Sequence, residues 1–285
     1  MGRLRFLLGV FPFLALLLCF FLSYTHLSPT TILVKNEMIA SPREFSILIG
    51  ILTRADLYNH RHFLRILYGI QSSSIAHVDV KFVFCNLTKE EQRVLVSLEM
   101  LRYDDIIVLN CTENMNHGKT YTYFSSVPKV LSRRYDYVMK ADDDVYIRLE
   151  QLSASIGRLE LKRDFYYGFV IPCKSREPFV EYMSGMAYLL SWDLVEWISE
   201  SEIPATDTVG PEDKLVGKWL RTGGKGRNRF TEKPAMYDYP GTNGGCSHEL
   251  LKETVAVHRL KRQEQWLDVI RFFNVTQGIE SSFLH

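Results

Sequence analysis

Three consecutive aspartates, residues 142–144, follow the end of a predicted hydrophobic strand. They lie in the segment KADDDVYI, residues 140–147. Adjacent carboxylates repel one another, so a cation that holds them together would stabilise the point where an apolar strand ends. In an extended backbone, Asp142 and Asp144 point to one side and Asp143 to the other. The spacing predicts that the first and third aspartates share a divalent metal. A solvated acidic turn or a helix N-cap is the alternative that these residue types also permit.

A second acidic pair, Glu212 and Asp213, follows Pro211 at the start of a predicted helix. Proline suits the first turn of a helix, and acids there lie at the positive end of the helix dipole. An exposed Asp213 would be ionised at neutral pH and able to accept a proton. The pair therefore indicates a general base, and a purely structural preference of acids for a helix start accounts for it equally well.

Strands and helices must alternate to position these acids. Strands are predicted over 46–53, 78–85, 106–109 and 135–140, with helices over 56–70, 89–101 and 119–133 between them. Further strands at 165–170 and 186–191, and helices at 192–200 and 211–221, follow in a less regular order. This pattern predicts an α/β fold of Rossmann-like character, with a mostly parallel central sheet flanked by helices. No Gly-x-Gly-x-x-Gly follows the first strand, so the dinucleotide fingerprint is missing.

The charge balance argues against a nucleic-acid partner. The chain of 285 residues has 34 lysines and arginines against 33 aspartates and glutamates. A nucleotide is therefore expected as a small donor or cofactor rather than as DNA or RNA. The basic stretch 221–233 is predicted to be a solvated loop.

The N-terminus has the pattern of a membrane anchor. Residues 6–22 carry no charge, and two arginines stand just before them, which predicts a cytoplasmic tip and an uncleaved signal anchor over residues 1–22. A cleaved signal peptide is the alternative, but the uncharged run exceeds the usual length of its apolar region. A stem over 23–44 would then lead to a luminal domain over 45–285.

The cysteines and glycosylation sequons fit an oxidising lumen. The four cysteines after the anchor, which could form two disulfides by any of three pairings, are Cys85, Cys111, Cys173 and Cys246. None of them has zinc-site spacing. Three Asn-x-Thr sequons, at Asn86, Asn110 and Asn274, are compatible with the same compartment.

Taken together and in order, five segments resemble the motifs of the beta-1,3-galactosyltransferase-like family of Golgi enzymes, glycosyltransferase family 31. The five segments are Arg61-His62-Phe63-Leu64-Arg65, Lys119-Thr120, the Asp142 to Asp144 cluster, the stretch from Tyr182 to Ser191 with its Ser-Gly-x-x-Tyr pattern, and Glu212-Asp213. The similarity runs over most of residues 45–220.

The resemblance implies a GT-A glycosyltransferase fold, a type II membrane topology and a manganese-dependent inverting transfer. By position, the implied metal ligands are Asp142, Asp144 and a late histidine, for which His258 is chosen and His248 is the runner-up. Asp213 would be the general base, with Glu212 beside it as a second catalytic residue. The implied donor-binding residues are Arg61, Arg65, Lys119, Asp142, Asp143, Ser184 and Gly185.

We therefore expect a Golgi membrane enzyme that moves a hexose from a UDP-sugar to an acceptor hydroxyl in beta-1,3 linkage. UDP-galactose is the preferred donor and UDP-N-acetylglucosamine the next, with a glycan, glycoprotein or glycolipid as acceptor. A catalytically inactive GT-A protein of the Golgi, acting as a lectin or scaffold, is the alternative. A calcium-binding domain has little support because the acidic cluster lacks the alternating ligands of an EF-hand loop.

Overall fold

A seven-stranded sheet and a smaller three-stranded sheet run through the part of the chain that the computed structural model describes, residues 44–160, 163–242 and 245–277. Its strands are β1 (Phe45–Leu52), β2 (Ala76–Cys85), β3 (Ile106–Leu109), β4 (Tyr137–Asp142), β5 (Tyr146–Ile147), β6 (Phe165–Ile171), β7 (Tyr182–Ser191), β8 (Asn228–Thr231), β9 (Met236–Asp238) and β10 (Ala256–His258).

The large sheet has the order β3-β2-β1-β4-β7-β6-β8 and is mostly parallel. Strands β1 to β4 run in one direction, β7 is antiparallel to both of its neighbours, and β8 pairs in parallel with β6. The carboxyl ends of β1 to β4 therefore lie at the edge of the sheet where β7 begins. Asp142, at the end of β4, and Ser184, near the start of β7, are brought to this edge.

Helices cover both faces of this sheet. They are α1 (Tyr58–Gly69), α2 (Glu90–Tyr103), α3 (Lys119–Val130), α4 (Leu149–Gly157), α5 (Trp192–Glu200), α6 (Glu202–Ala205), α7 (Glu212–Thr222) and α8 (Gln263–Phe272). One core cluster joins Ile49 of β1 to residues of α1, α4 and α8, and the other joins Leu48 to residues of α3, α5 and α7. Because neighbouring β1 residues face opposite clusters, each face is buried by its own helices. The predicted α/β class is confirmed.

The small sheet has the order β5-β10-β9 and uses strands from distant parts of the chain. Strand β10 is antiparallel to β5 and parallel to β9, with His258 opposite Asp238. Since β5 follows the acidic segment directly, this sheet places the end of β10 beside the aspartates.

Two local predictions are wrong in detail. The helix predicted to reach residue 133 ends at Val130, shortly after Pro128, whose ring cannot donate an intrahelical hydrogen bond. The stretch 221–233, predicted to be a loop, contains the end of α7 and β8, which pairs with β6. Phe230 explains the strand, because its ring stacks on Tyr167 with centroids 5.9 Å apart.

The cysteines form the two bonds Cys85–Cys111 and Cys173–Cys246, one of the three pairings left open by the sequence. Within the described ranges, no helix combines the length and apolar character needed to cross a bilayer. The predicted anchor at 1–22, and the stem except for its last residue, lie outside those ranges.

Candidate active site

The first and third aspartates of the acidic segment lie in one group with His258. Strand β4 ends at Asp142, and Asp143 and Asp144 form the turn before β5. His258 Nε2 lies 3.3 Å from Asp144 Oδ1 and 3.9 Å from Asp142 Oδ2. One ligand atom of each residue lies within 4.8 Å of the others. The structure thus brings the predicted pair together, although the backbone turns after Asp142 instead of remaining extended.

Asp238 orients the His258 ring from the side opposite the aspartates. The two residues face each other across β9 and β10, and His258 Nδ1 donates a hydrogen bond to Asp238 Oδ1 over 2.7 Å. Arg259 Nε lies 2.9 Å from the second oxygen of Asp238. With Nδ1 occupied, Nε2 is the ring nitrogen that faces the acidic turn, as in the carboxylate–histidine pairs of metal sites.

The charges within this group depend on one another. The pKa of His258 is raised to about 9, because its hydrogen bonds to Asp144 and Asp238 outweigh the opposing effect of burial. Burial acts to raise the pKa of Asp144, but the contact with His258 outweighs it and lowers the pKa. In the metal-free protein the imidazolium therefore serves as counterion to the aspartates, and a divalent cation would displace its proton.

The group has a donor set that fits a divalent metal. Carboxylate oxygens and an imidazole nitrogen are accepted together by first-row divalent ions. The three ligand atoms converge, and a further carboxylate already holds the histidine ring. Asp142, Asp144 and His258 could therefore hold a divalent metal. The runner-up, His248, lies elsewhere, with both ring nitrogens within hydrogen-bond distance of backbone carbonyls.

Asp143 turns away from this group. Its Oδ2 accepts a hydrogen bond from Thr53 Oγ1 over 2.6 Å at the end of β1, and its backbone carbonyl lies 2.5 Å from His60 Nε2 on α1. Burial raises the pKa of Asp143, against the effect of the Thr53 hydrogen bond. The middle aspartate thus attaches the acidic turn to β1 and α1, while its neighbours face His258.

A buried lysine links the acidic segment to the second acidic pair. The Lys140 side chain has no exposed surface, and its Nζ lies 2.6 Å from Asp142 Oδ1 and 2.9 Å from Glu212 Oε1. Tyr188, the cross-strand neighbour of Lys140, donates to Glu212 Oε2 over 2.6 Å. Burial acts to lower the pKa of Lys140, but its two carboxylate partners raise it. Glu212, predicted to be catalytic, has both oxygens occupied and so has the contacts of a positioning residue.

Asp213 presents a carboxylate fixed by two backbone N–H groups. It lies half-buried at the start of α7, where Gly185 N–H donates to Oδ2 over 3.1 Å and Lys214 N–H donates to Oδ1 over 2.8 Å. Its neighbour Glu212 is buried, whereas Asp213 is partly open to solvent. Of the pair, Asp213 is therefore the one that an incoming hydroxyl could reach, as a general base requires.

Gly185 lies where β7 passes close to the start of α7. A Cβ atom there would lie 2.5 Å from Glu212 Oε1, 3.5 Å from Lys140 Nζ and 3.6 Å from Asp213 Oδ2. The Gly185 N–H donates to Asp213, and its carbonyl accepts from Lys140. The Ser-Gly segment therefore belongs to the site through its backbone, and Ser184 lies half-buried beside it.

The two arginines predicted to bind the donor are engaged within the protein. Arg61 has no exposed side-chain surface and contacts Glu99 at 2.6 Å, and it also donates to two carbonyls of the loop between β1 and α1. Arg65 pairs with Glu99 at 2.6 Å and with Asp105 at 2.7 Å. These guanidinium groups therefore attach α1 to α2 and to the start of β3.

Lys119 lies at the start of α3, on the Asp143 side of the acidic turn. Its Nζ donates to the Thr53 carbonyl over 2.6 Å and pairs with Glu113, and burial lowers its pKa. Glu113 also lines a recess of about 400 Å³ beyond the ends of β1, β2 and β3, together with Arg54 and Asn86. The predicted donor residue thus stands behind this recess, with its ammonium used by the protein.

Sequence reasoning missed three residues that orient the site: Lys140, Tyr188 and Asp238. The sequence did contain a signal for Lys140, because a lysine within an apolar strand is buried only when it is paired with a counterion. Tyr188 is the tyrosine of the Ser-Gly-x-x-Tyr pattern, but the pattern does not reveal its partner, Glu212. No local signal marks Asp238, whose partner lies 20 residues away along the chain.

Known proteins resemble the chain in sequence. The family model described as Galactosyltransferase matches residues 59–177. Beta-1,3-galactosyltransferase pvg3 of Schizosaccharomyces pombe is 25% identical, with 80% of this chain and 75% of that protein covered. Probable beta-1,3-galactosyltransferase 13 of Arabidopsis thaliana is 23% identical, with 64% of this chain and 60% of that protein covered. The chain therefore spans less than two thirds of the plant relative's length.

Solved structures that match the chain include an active-site mutant of LgtC, at TM-score 0.45 and 10% identity, with 81% of this chain and 95% of that chain covered. The mannosyltransferase PcManGT from Pyrobaculum calidifontis, solved with GDP-Man and Mn²⁺, has TM-score 0.45 and 13% identity, with 68% of this chain and 56% of that chain covered. The family model and the relatives confirm the resemblance found in the sequence motifs. The chain is therefore similar to galactosyltransferases in its motifs, over residues 59–177 and along most of the yeast relative, and these similarities support a glycosyltransferase.

Proposed function

We propose that this protein is an inverting transferase that moves galactose from UDP-galactose to an acceptor hydroxyl in beta-1,3 linkage. The observation that carries the proposal is the placement of two functional units at one edge of the sheet. One unit is the convergent group of Asp142, Asp144 and His258, and the other is Asp213. Lys140 and the Gly185 backbone join them directly. The names of the yeast and plant relatives support the donor and the linkage.

Asp142, Asp144 and His258 would hold the metal, for which we propose Mn²⁺. When bound, a divalent ion supplies positive charge for the diphosphate of the donor. The recess of about 400 Å³ lies beyond the ends of β1 to β3, at the same edge of the sheet as the end of β4, and would offer space for the nucleoside. Asp143 and Lys119 support the turn and the recess from behind.

Asp213 would take the proton from the acceptor hydroxyl. The N–H groups of Gly185 and Lys214 hold its two oxygens, so the carboxylate keeps one orientation before the acceptor arrives. The buried Glu212 anchors the first turn of α7 that carries it. Attack from the side of Asp213, with the diphosphate on the metal side, would be a single displacement that inverts the anomeric centre.

We propose that the protein resides in the Golgi membrane as a single-pass type II protein, with residues 1–22 as anchor and the catalytic domain in the lumen. The uncharged run after two arginines supports this topology. Protease protection of a C-terminal tag in intact microsomes, together with co-localisation with a Golgi marker, would test it. A tag digested without detergent would contradict it.

A transfer assay tests the function. The full chain, purified in detergent with Mn²⁺, is incubated with UDP-galactose, UDP-N-acetylglucosamine or UDP-N-acetylgalactosamine and a panel of acceptor glycans, and the linkage of the product is determined. We expect transfer from UDP-galactose, with kcat lowered about 10²- to 10⁴-fold in Asp213→Asn, because the general base is lost.

Asp193→Asn is a matched control, because Asp193 is also an acid in the first turn of a helix, α5, and it should keep full activity. An Asp213→Asn variant as active as the wild type would refute the assignment of the base. UDP binding without turnover on any donor or acceptor would favour the inactive lectin or scaffold instead.

A further inference from the structure

Lys140 has more partners at the site than any role in the sheet requires. Its ammonium carries three hydrogens, and three acceptors surround it: Asp142 Oδ1, Glu212 Oε1 and the carbonyl of Gly185. None of its side-chain surface is exposed. A buried lysine between two carboxylates is costly to desolvate unless its partners are well placed, and here every partner belongs to the candidate site.

The strand geometry explains why the ammonium reaches both halves of the site. Lys140 and Asp142 lie two residues apart on β4 and so point to the same face of the sheet. Tyr188, opposite Lys140 on β7, is on that face too and holds the second oxygen of Glu212. The first residue of α7 is therefore held by one side chain from each of two neighbouring strands.

The contact with Lys140 also determines which oxygen of Asp142 faces His258. Its Oδ1 is used by Lys140 at 2.6 Å, and Oδ2 is the oxygen that faces His258 Nε2, at 3.9 Å. Without the ammonium, Asp142 Oδ1 would lose its hydrogen-bond donor, and the Asp142 and Glu212 carboxylates would lose the cation that lies between them. Repulsion would then move either the metal group or the start of α7.

We propose that Lys140 is a positioning residue that sets the distance between the metal-binding carboxylate Asp142 and the base Asp213. It does so through one oxygen of Asp142 on the donor side, and through Glu212 and the Gly185 carbonyl on the acceptor side. This inference rests on the proposed function for its catalytic consequence. Its consequence for metal binding is independent of turnover.

Two variants and one control test this role. Lys140→Met keeps the length of the side chain and removes the charge, and Lys140→Met/Glu212→Gln also removes the buried carboxylate left behind. Lys233→Met is the matched control, since Lys233 Nζ also donates to three acceptors, all backbone carbonyls. Each full-length protein is examined for thermal unfolding, for Mn²⁺ affinity by electron paramagnetic resonance of the free ion without donor, and for kcat and KM in transfer.

We expect Lys140→Met to bind Mn²⁺ about 10- to 100-fold more weakly, the range found when a group that orients a metal ligand is removed. In the double variant, unfolding should return toward the wild type while Mn²⁺ affinity and kcat stay low, which a merely structural role would not produce. Lys233→Met should change unfolding only.

Wild-type Mn²⁺ affinity and kcat in a folded Lys140→Met protein, or in the double variant where the single one does not fold, would overturn the proposal. Absence of transfer by the wild type would refute the proposed function instead. In that case the Mn²⁺ measurement still decides whether Lys140 orients Asp142.

Discussion

Arg61 and Lys140 are both fully buried cations that bind carboxylates, and their partners differ in kind. Arg61 holds Glu99 of α2 and the loop after β1, so its partners belong to the framework. Lys140 holds Asp142 and Glu212, which belong to the site. Both charges are buried and are neutralised by carboxylates. The location of those carboxylates, in the framework or in the site, shows which part of the molecule each cation holds together.

The two side chains also suit their tasks chemically. The planar fork of Arg61 donates to both oxygens of Glu99 and ties one acid to the backbone. The ammonium of Lys140 is a point charge that three acceptors can approach from different directions. Family motifs assigned a donor role to Arg61 and none to Lys140, whereas the contacts in the structure favour the opposite ranking.

The largest expected effect that separates the two cations is on stability. Arg61→Met should lower the free energy of unfolding by about 3–5 kcal/mol, because Glu99 and two carbonyls lose a buried partner. Urea unfolding measures this loss. The folded fraction should keep wild-type kcat and donor KM, and Arg61→Met/Glu99→Gln should recover part of the stability. A stable variant with a raised KM for the donor would restore the donor-binding role predicted from the motif.

A smaller effect, on metal binding, is expected for Asp238, whose carboxylate orients the His258 ring. Asp238→Asn should weaken Mn²⁺ binding about 10- to 100-fold, because the amide no longer holds the His258 ring as a carboxylate does. Asp136→Asn is the control, since Asp136 accepts hydrogen bonds from Ser46 within the sheet. Calorimetric titration with Mn²⁺ would show the difference, and equal affinities for both variants would contradict it.

The pH dependence of the metal-free protein should be smaller again. The pKa of His258 is raised to about 9 in the folded state, so its stabilising contribution is complete below about pH 6.5 and is lost as the pH rises through 9. Burial and the nearby Arg176 lower the pKa of Lys233 to about 8. Lys233 therefore contributes a stability that increases as the pH rises above 8, opposite to the contribution of His258. The difference in unfolding between wild type and His258→Gln isolates the histidine, and a pH-independent difference would refute its role as counterion.

The smallest effect is expected for an ion pair of the same chemistry on the surface. Arg93 contacts Glu90 at 3.2 Å on α2, and both side chains are largely exposed. Arg93→Ala should cost only about 0.3–0.5 kcal/mol, because water and salt screen the pair. Thermal unfolding at low and high salt would detect this loss of stability. A loss as large as that of Arg61→Met would contradict the expected difference between buried and exposed ion pairs.

The N-terminal half of the fold could be predicted from local patterns. Strand β3 has its predicted bounds, and the other strands and helices from β1 to β4 differ from theirs by at most three residues at either end. The strands among them are marked by short apolar runs, and the helices by longer stretches between those runs. The three-residue strands β9 and β10 are too short to show a period, and their pairing depends on contacts between distant segments.

The site was predictable where a motif supplied both the residue and its neighbours. Asp142, Asp144 and Asp213 are marked by adjacent acids, and His258 ends a short apolar run. Lys140 is different, since its meaning comes from Glu212, 72 residues later. Partners at such separations are brought together by the whole sheet, and a single sequence has no local pattern that reports them.

The position of His258 on β10 has a consequence for biosynthesis. Asp142 and Asp144 leave the ribosome more than a hundred residues before this imidazole does. A nascent chain that ends between these residues therefore carries both aspartates without the histidine. A product terminated before β10 lacks the nitrogen of the proposed metal site, so binding of Mn²⁺ at that site would require that synthesis has passed β10.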